Sequence, residues 1–225
     1  MQLIIFDVDG TLTRSTGVDA RCYAQAVSVE LGVDVDTEWS RYRHVTDAGI
    51  LRELLERRGR PAAPAVVLAV RERFLRLLCA ALAADPTSCR EVAGAGALLR
   101  HLRGVPDVRL AIATGGWADS ARLKLRQAHI EINGIPFGSS DDSPSREDIL
   151  RIACQRAGEK CTVPFDAVTY VGDAPWDAAA ARLLGFRFIG VALEDDEDRP
   201  RMAGASVVFR DFTNRDAVVD ALLAG

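Results

Sequence analysis

Short runs of consecutive apolar residues alternate along this chain with stretches in which apolar positions recur every three to four residues. Residues 3–6, 108–113, 167–171 and 188–192 are runs of the first kind, with 207–209 as a shorter fifth. Runs this brief and this uniformly apolar suit strands buried on both faces, as in a parallel sheet. Most are followed by a helical pattern. The alternation predicts an α/β fold with a doubly wound, Rossmann-like parallel sheet.

The interval after the first run breaks that rhythm. Between Thr13 and about Ser88 no strand-like run occurs. Three amphipathic helical stretches fill the interval instead, near 19–31, 47–58 and 65–82. Gly32, Gly59-Arg60-Pro61 and Asp85-Pro86 punctuate them. Some 75 residues are far too many for a plain loop. The pattern predicts an inserted all-α subdomain over 15–88, carried by a core made of 1–14 and 89–225.

Charge and cysteine content narrow the class. The formal net charge is −4, and no basic stripe marks a nucleic-acid surface, so no nucleic-acid partner is expected. The first apolar run ends in an aspartate after a few residues, which suits neither a signal peptide nor a membrane span. The expectation is a cytoplasmic protein without membrane contact, a monomer or weak homodimer. Cys22, Cys79, Cys89, Cys154 and Cys161 are odd in number and form no C-x-x-C pair, which fits reduced thiols. The acidic run 194–198 reads as a solvated loop rather than a metal site.

The candidate chemistry lies where the strands end, since ligands of open α/β sheets bind at the carboxyl ends of the strands. Asp7 and Asp9 follow the first run. Alternate residues of a strand share a face, so two carboxylates meet there, which suggests a metal ion, a transferable proton, or both. Thr114-Gly115-Gly116 follows the second run and offers a hydroxyl and free backbone N–H groups to an anion; taken alone, it could equally cap a helix. Gly172-Asp173 follows the run 167–171, with Asp177 four residues on. Asp173 could be a simple N-cap, but beside two other acids a hard divalent ion such as Mg²⁺ accounts for it better. Arg146 begins a helix, a place that electrostatically disfavours a cation unless a carboxylate or phosphate pairs with it.

With these four segments in order, the chain resembles the haloacid dehalogenase-like hydrolases. Asp7-Val8-Asp9-Gly10-Thr11 matches the family's first motif in full, Thr114 its second, Arg146 its third, and Gly172, Asp173 and Asp177 its fourth. The helical insertion looks like the family's cap. The resemblance implies that Asp7 is a nucleophile forming an aspartyl-phosphate and that Asp9 is the general acid and base. It implies that Asp7, the backbone carbonyl of Asp9, and Asp173 hold Mg²⁺, with Asp177 behind them or acting through water. Thr114, Gly115 and Arg146 would then bind the phosphoryl group. Most members carry lysine where Arg146 stands, and neither Lys124 nor Lys160, the only lysines, is placed by the sequence for that role.

Within the family, Asp9 argues against dehalogenation, and the lack of lysine over 14–88 argues against Schiff-base phosphonatase chemistry. A phosphatase acting on a small-molecule phosphate ester is the expectation. A sugar phosphomutase is the alternative, and a receiver-type phospho-acceptor module is the alternative from another class. In the cap, residues 43–50 resemble the substrate-facing loop of phosphoglycolate-phosphatase-like relatives. This makes His44 and Thr46 candidate substrate contacts, although Thr46 or Asp47 could simply cap the next helix. Arg14 and Trp117 are further candidates at the cap–core cleft.

Overall fold

The computed structural model describes residues 1–159, 161, 163–192 and 204–224. The acidic run 194–198 and Lys160 lie outside them. Among the described residues no helix is long and apolar enough to cross a membrane.

In chain order, the strands are β1 (Gln2–Phe6), β2 (Thr13–Arg14), β3 (Arg90–Glu91), β4 (Val108–Ala113), β5 (Phe137–Gly138), β6 (Ala167–Gly172), β7 (Arg187–Val191) and β8 (Val207–Phe209). The helices are α1 (Thr16–Leu31), α2 (Asp47–Glu56), α3 (Pro64–Ala84), α4 (Ala95–Leu102), α5 (Ala118–Gln127), α6 (Arg146–Gly158), α7 (Pro175–Leu184) and α8 (Arg215–Leu223). Six strands form one parallel sheet in the order β5-β4-β1-β6-β7-β8. The strand order therefore reverses direction around β1, and the crevice at that switch point is where such sheets bind ligands. The apolar runs mark five of these strands. β5 went unread because two residues carry no pattern.

Strand alternation builds two apolar layers. Ile4 and Phe6 of β1, with Leu110 and Ile112 of β4, pack under α4, α5 and α8. Leu3 and Ile5, with Ala111, Ala113 and Tyr170, pack under α6 and α7. A third cluster belongs to the helical insertion, where Tyr23, Val27, Leu51, Leu54, Phe74 and Leu78 of α1–α3 close on one another. The chain passes between sheet and insertion through β2 and β3. These pair antiparallel, Thr13 with Glu91 and Arg14 with Arg90, as a short two-stranded ribbon.

Candidate active site

β1 ends at Phe6, but the Asp7 N–H still donates to the Val171 carbonyl (2.9 Å), which fixes Asp7 at the sheet edge. Beyond it the chain folds tightly on itself. The N–H groups of Thr11, Leu12 and Thr13 all donate to the Val8 carbonyl. Gly10 makes this turn possible at φ +80°, a left-handed conformation that costs residues with a Cβ. A Cβ there would also lie 2.0 Å from Asp173 Oδ2. Glycine thus lets the Asp173 carboxylate rest against the β1 loop, where Thr11 Oγ1 donates to it at 3.3 Å.

Asp7, Asp173 and Asp177 converge so that one carboxylate oxygen of each lies within 4.8 Å of the others. Asp177 is fully buried and its oxygens are already engaged. Oδ1 accepts from the Tyr170 hydroxyl (2.8 Å) and lies 2.9 Å from Arg146 Nη1, while Oδ2 accepts from the Ala174 N–H (3.0 Å). Gly172 makes room for it, since a Cβ there would lie 2.7 Å from Asp177 Cβ. Asp177 therefore braces Arg146 and the start of α7, leaving Asp7 and Asp173 as the more open pair.

Arg146 stands at the first residue of α6, capped by Ser145, and its buried guanidinium is shared. Nη1 lies 3.4 Å from Asp7 Oδ1 and donates to the Tyr170 hydroxyl (3.2 Å); Nη2 donates to the Val45 carbonyl (2.9 Å). A Cβ on Gly115 would lie 2.3 Å from Nη2, so the glycine after Thr114 is what admits the guanidinium. Thr114 Oγ1 accepts from the Gly116 N–H at 3.1 Å, which leaves its own hydroxyl hydrogen to donate.

The electrostatics show a site short of positive charge. Burial first, then the charge of Asp177, push the Asp7 carboxyl well above the usual carboxylate range, and Arg146 offsets this only in part. Desolvation and Asp177 do the same to Asp173. Arg146 stays firmly protonated, because Asp177, Tyr170 and Asp7 outweigh the cost of burying it. Three carboxylates facing one guanidinium make an all-oxygen, acid-rich donor set. Its chemistry fits a hard divalent cation such as Mg²⁺.

The sequence missed a second acid–cation cluster beside the first. Lys124 of α5 is fully buried, and its ammonium is bridged by Asp9 Oδ2 (2.6 Å) and by Asp19 of α1. Ser15 Oγ donates to the other Asp9 oxygen at 2.6 Å. Burial would favour a neutral amine, but Asp19 and Asp9 reverse that and hold the ammonium above its ordinary value. Burial raises Asp19 to about 6, with Lys124 opposing the rise. A signal was available. Ala121, Lys124 and Leu125 of α5 and its C-cap Ala128 recur at helical spacing, and the other three are buried and apolar. A lone lysine in such a stripe has to find acids. Lys124 does reach the site, through Asp9 and not through the position Arg146 holds.

The insertion docks on the loop after β4. The Asp47 N–H donates to the Gly115 carbonyl (2.8 Å), Asp47 Oδ2 accepts from the Trp117 N–H (2.8 Å), and the Thr46 hydroxyl donates to the Pro144 carbonyl (2.7 Å). Between insertion and sheet lies a cavity of about 540 Å³, into which Asp7, Asp9, Asp173, Thr114, Arg146 and Thr46 all open. Thr46 also caps α2, accepting from the Gly49 N–H. His44 does not line the cavity; its Cβ packs at the position that a side chain on Gly49 would need. Trp117 is buried among Tyr23 and Phe74 (ring centroids 5.9 Å from each), and Arg14 is exposed on the ribbon, so neither lines the cavity. The aromatic lining is Tyr23, Trp39 and Trp176 instead. All five cysteines are free thiols.

A family model described as haloacid dehalogenase-like hydrolase matches residues 1–185. The chain belongs to that family. It is accordingly a hydrolase with the haloacid dehalogenase-like fold. Among solved structures, a hydrolase from Pseudomonas syringae is similar at 24% identity, with TM-score 0.72 over 97% of this chain and 99% of that one. A mutant CbbY from Rhodobacter sphaeroides in complex with xylulose-(1,5)bisphosphate is similar at 20% identity and TM-score 0.67, over 93% and 94% of the two chains. A predicted phosphoglycolate phosphatase from Haemophilus somnus is similar at 15% identity and TM-score 0.62, over 96% and 97%. At these identities the likeness speaks for the fold. A comparison with curated proteins gave no match.

Proposed function

We propose that this haloacid dehalogenase-like hydrolase is a Mg²⁺-dependent phosphatase that cleaves a small-molecule phosphate monoester through an aspartyl-phosphate on Asp7. One observation carries the reading. Asp7 sits in the cavity between sheet and insertion, 3.4 Å from the Arg146 guanidinium and grouped with Asp173 and Asp177. A carboxylate cannot approach a phosphate dianion unrelieved. Asp7, the backbone carbonyl of Asp9, and Asp173 would hold the ion, which when bound supplies the positive charge that offsets this repulsion.

The chain's own residues account for the rest. An Asp7 oxygen attacks phosphorus as the bond to the leaving oxygen breaks, and Asp9 gives that oxygen a proton. Asp9 then takes a proton from water as the water attacks phosphorus. The Asp7–phosphorus bond breaks, and inorganic phosphate leaves. Splitting one hydrolysis into two displacements is nucleophilic catalysis, and Asp9 serves as acid and then as base. The Arg146 guanidinium and the free Thr114 hydroxyl hydrogen hold the phosphoryl oxygens. The Gly115 N–H, which meets no acceptor among the described residues, is a further donor for them. Both Asp9 oxygens accept here, from Lys124 and Ser15, so Asp9 acts as an acid only once it leaves these donors and takes up a proton. The helical insertion acts as a cap that shields the site from water.

Family membership and the α1–α3 insertion favour a turnover enzyme over a receiver module, which would take up phosphate once. The test is phosphate release from a panel of monoesters with Mg²⁺, after EDTA, and after Mg²⁺ is restored. Repeated turnover, lost with EDTA and recovered with Mg²⁺, is expected. Undiminished turnover in EDTA would overturn the metal assignment.

A further inference from the structure

The cavity is electrically lopsided. At its floor Asp7 and Asp173 face Arg146. Its outer walls come from α1, the segment 37–40 and the start of α2, and there the charged groups are Asp19, Glu38 and Asp47. Among the described residues Arg146 is the one cation that lines the cavity, and its guanidinium is already shared by Asp7, Asp177, Tyr170 and Val45. Lys124 lies behind the wall, closed between Asp9 and Asp19, so it balances only one of those two acids.

Asp47 is the telling residue. It is more than nine-tenths buried (8% exposed) yet opens on the cavity. Its Oδ2 accepts from the Trp117 N–H, whereas Oδ1 meets no donor among the described residues. That oxygen is open to the cavity, so it is free to accept from a donor on a bound ligand. Tyr23, whose hydroxyl donates to the Asp47 carbonyl (2.8 Å), and Trp39 also line the cavity. Among the described residues that line the cavity, no further cationic group stands ready for a carboxylate or a second phosphate on the substrate.

We propose that the substrate is a phosphate monoester whose alcohol portion carries a protonated amine, received by Asp47 Oδ1 with Asp19 and Glu38 adding to the attraction. This rests on the phosphomonoesterase reading above. An ammonium brings three donors to acceptor-only carboxylates, whereas an anionic leaving group would enter an uncompensated acidic field.

The experiment measures kcat/KM with Mg²⁺ on two size-matched sets. The first is O-phosphoethanolamine, 2-hydroxyethyl phosphate and 2-phosphoglycolate. The second is glucosamine 6-phosphate, glucose 6-phosphate and 6-phosphogluconate. p-Nitrophenyl phosphate serves as a charge-neutral reference. The amine ester of the better-accepted set should exceed its neutral counterpart by about 10-fold and its carboxylate counterpart by about 100-fold. Asp47→Asn should lower the amine-to-neutral ratio by about 10-fold, chiefly through KM. Exposed Glu38→Gln, which leaves the buried network intact, should lower it by about threefold. Equal or better hydrolysis of the carboxylate esters would overturn the inference while leaving the phosphatase reading in place. So would an amine-to-neutral ratio that neither variant moves. Phosphate release from none of the esters, p-nitrophenyl phosphate included, would overturn both.

Discussion

Arg146 and Lys124 are two buried cations, and each bridges two carboxylates. Their settings differ. Arg146 joins Asp7, just after β1, with residues of β6, α6 and α7, and among the described residues its hydrogen bond to the insertion goes to the Val45 carbonyl. Lys124 joins α5 to Asp9 on one side and to Asp19 of α1 on the other, so its contacts cross from sheet to insertion. A guanidinium is a planar fork that serves several acceptors at once, whereas an ammonium is a point charge. The difference separates two jobs. Arg146 neutralises the place where phosphoryl chemistry would occur. Lys124 holds Asp9, the proposed acid–base residue, in register with the insertion.

That contrast can be attacked from either side. The largest effect should come from Arg146→Ala, which removes the one cation that lines the cavity among the described residues. We expect kcat to fall by about 10²–10³-fold, as for other losses of transition-state charge stabilisation. Arg146→Lys should recover part of this, since the charge returns without the fork. A loss below about 10-fold for the alanine variant would move the role elsewhere.

Lys124→Met should act differently. It leaves Asp9 and Asp19 facing each other without a cation, and removing one partner of a buried pair is strongly destabilising. Because Asp9 and Asp19 keep side-chain exposures of 20% and 18%, water relieves part of the repulsion. We expect about 2–3 kcal/mol of lost stability in denaturant melts. Lys124→Arg should restore little, because the buried slot is shaped for an ammonium. An unchanged melt for Lys124→Met would deny the cluster its structural role.

The smallest effect should come from the dock between the two regions. Thr46→Ala removes the α2 cap and the bond to Pro144, and about 1 kcal/mol is expected. Thr46→Ser should keep both bonds and most of that stability.

The same contrast explains what the sequence made legible. The strands were readable because a parallel sheet buried on both faces needs uninterrupted apolar runs, and the insertion because its helices keep their period. Asp7, Thr114, Arg146, Asp173 and Asp177 could be singled out because each follows a strand or opens a helix, and the topology brings all strand ends to one edge. Lys124 and Asp19 were not legible as partners. They are 105 residues apart, and only the tertiary packing of α1 on α3 and of α3 on α5 brings them together. The free oxygen of Asp47 depends likewise on contacts with Trp117 and Gly115 that no local pattern encodes. His44 and Trp117 show the converse. Both stand near the right segments, but side-chain direction turns one away from the cavity and buries the other in the core of the insertion.

The central claim is that Asp7 becomes covalently phosphorylated. The direct measurement is an acid quench during turnover of an accepted, phosphorus-labelled monoester, followed by cleavage after arginine and analysis of the peptide spanning residues 1–14. Wild-type protein should carry the label on Asp7, released by hydroxylamine, and Asp7→Asn should carry none while losing turnover by at least about 10³-fold. Brisk wild-type turnover with no label on that peptide, or near-normal turnover in Asp7→Asn, would contradict the account.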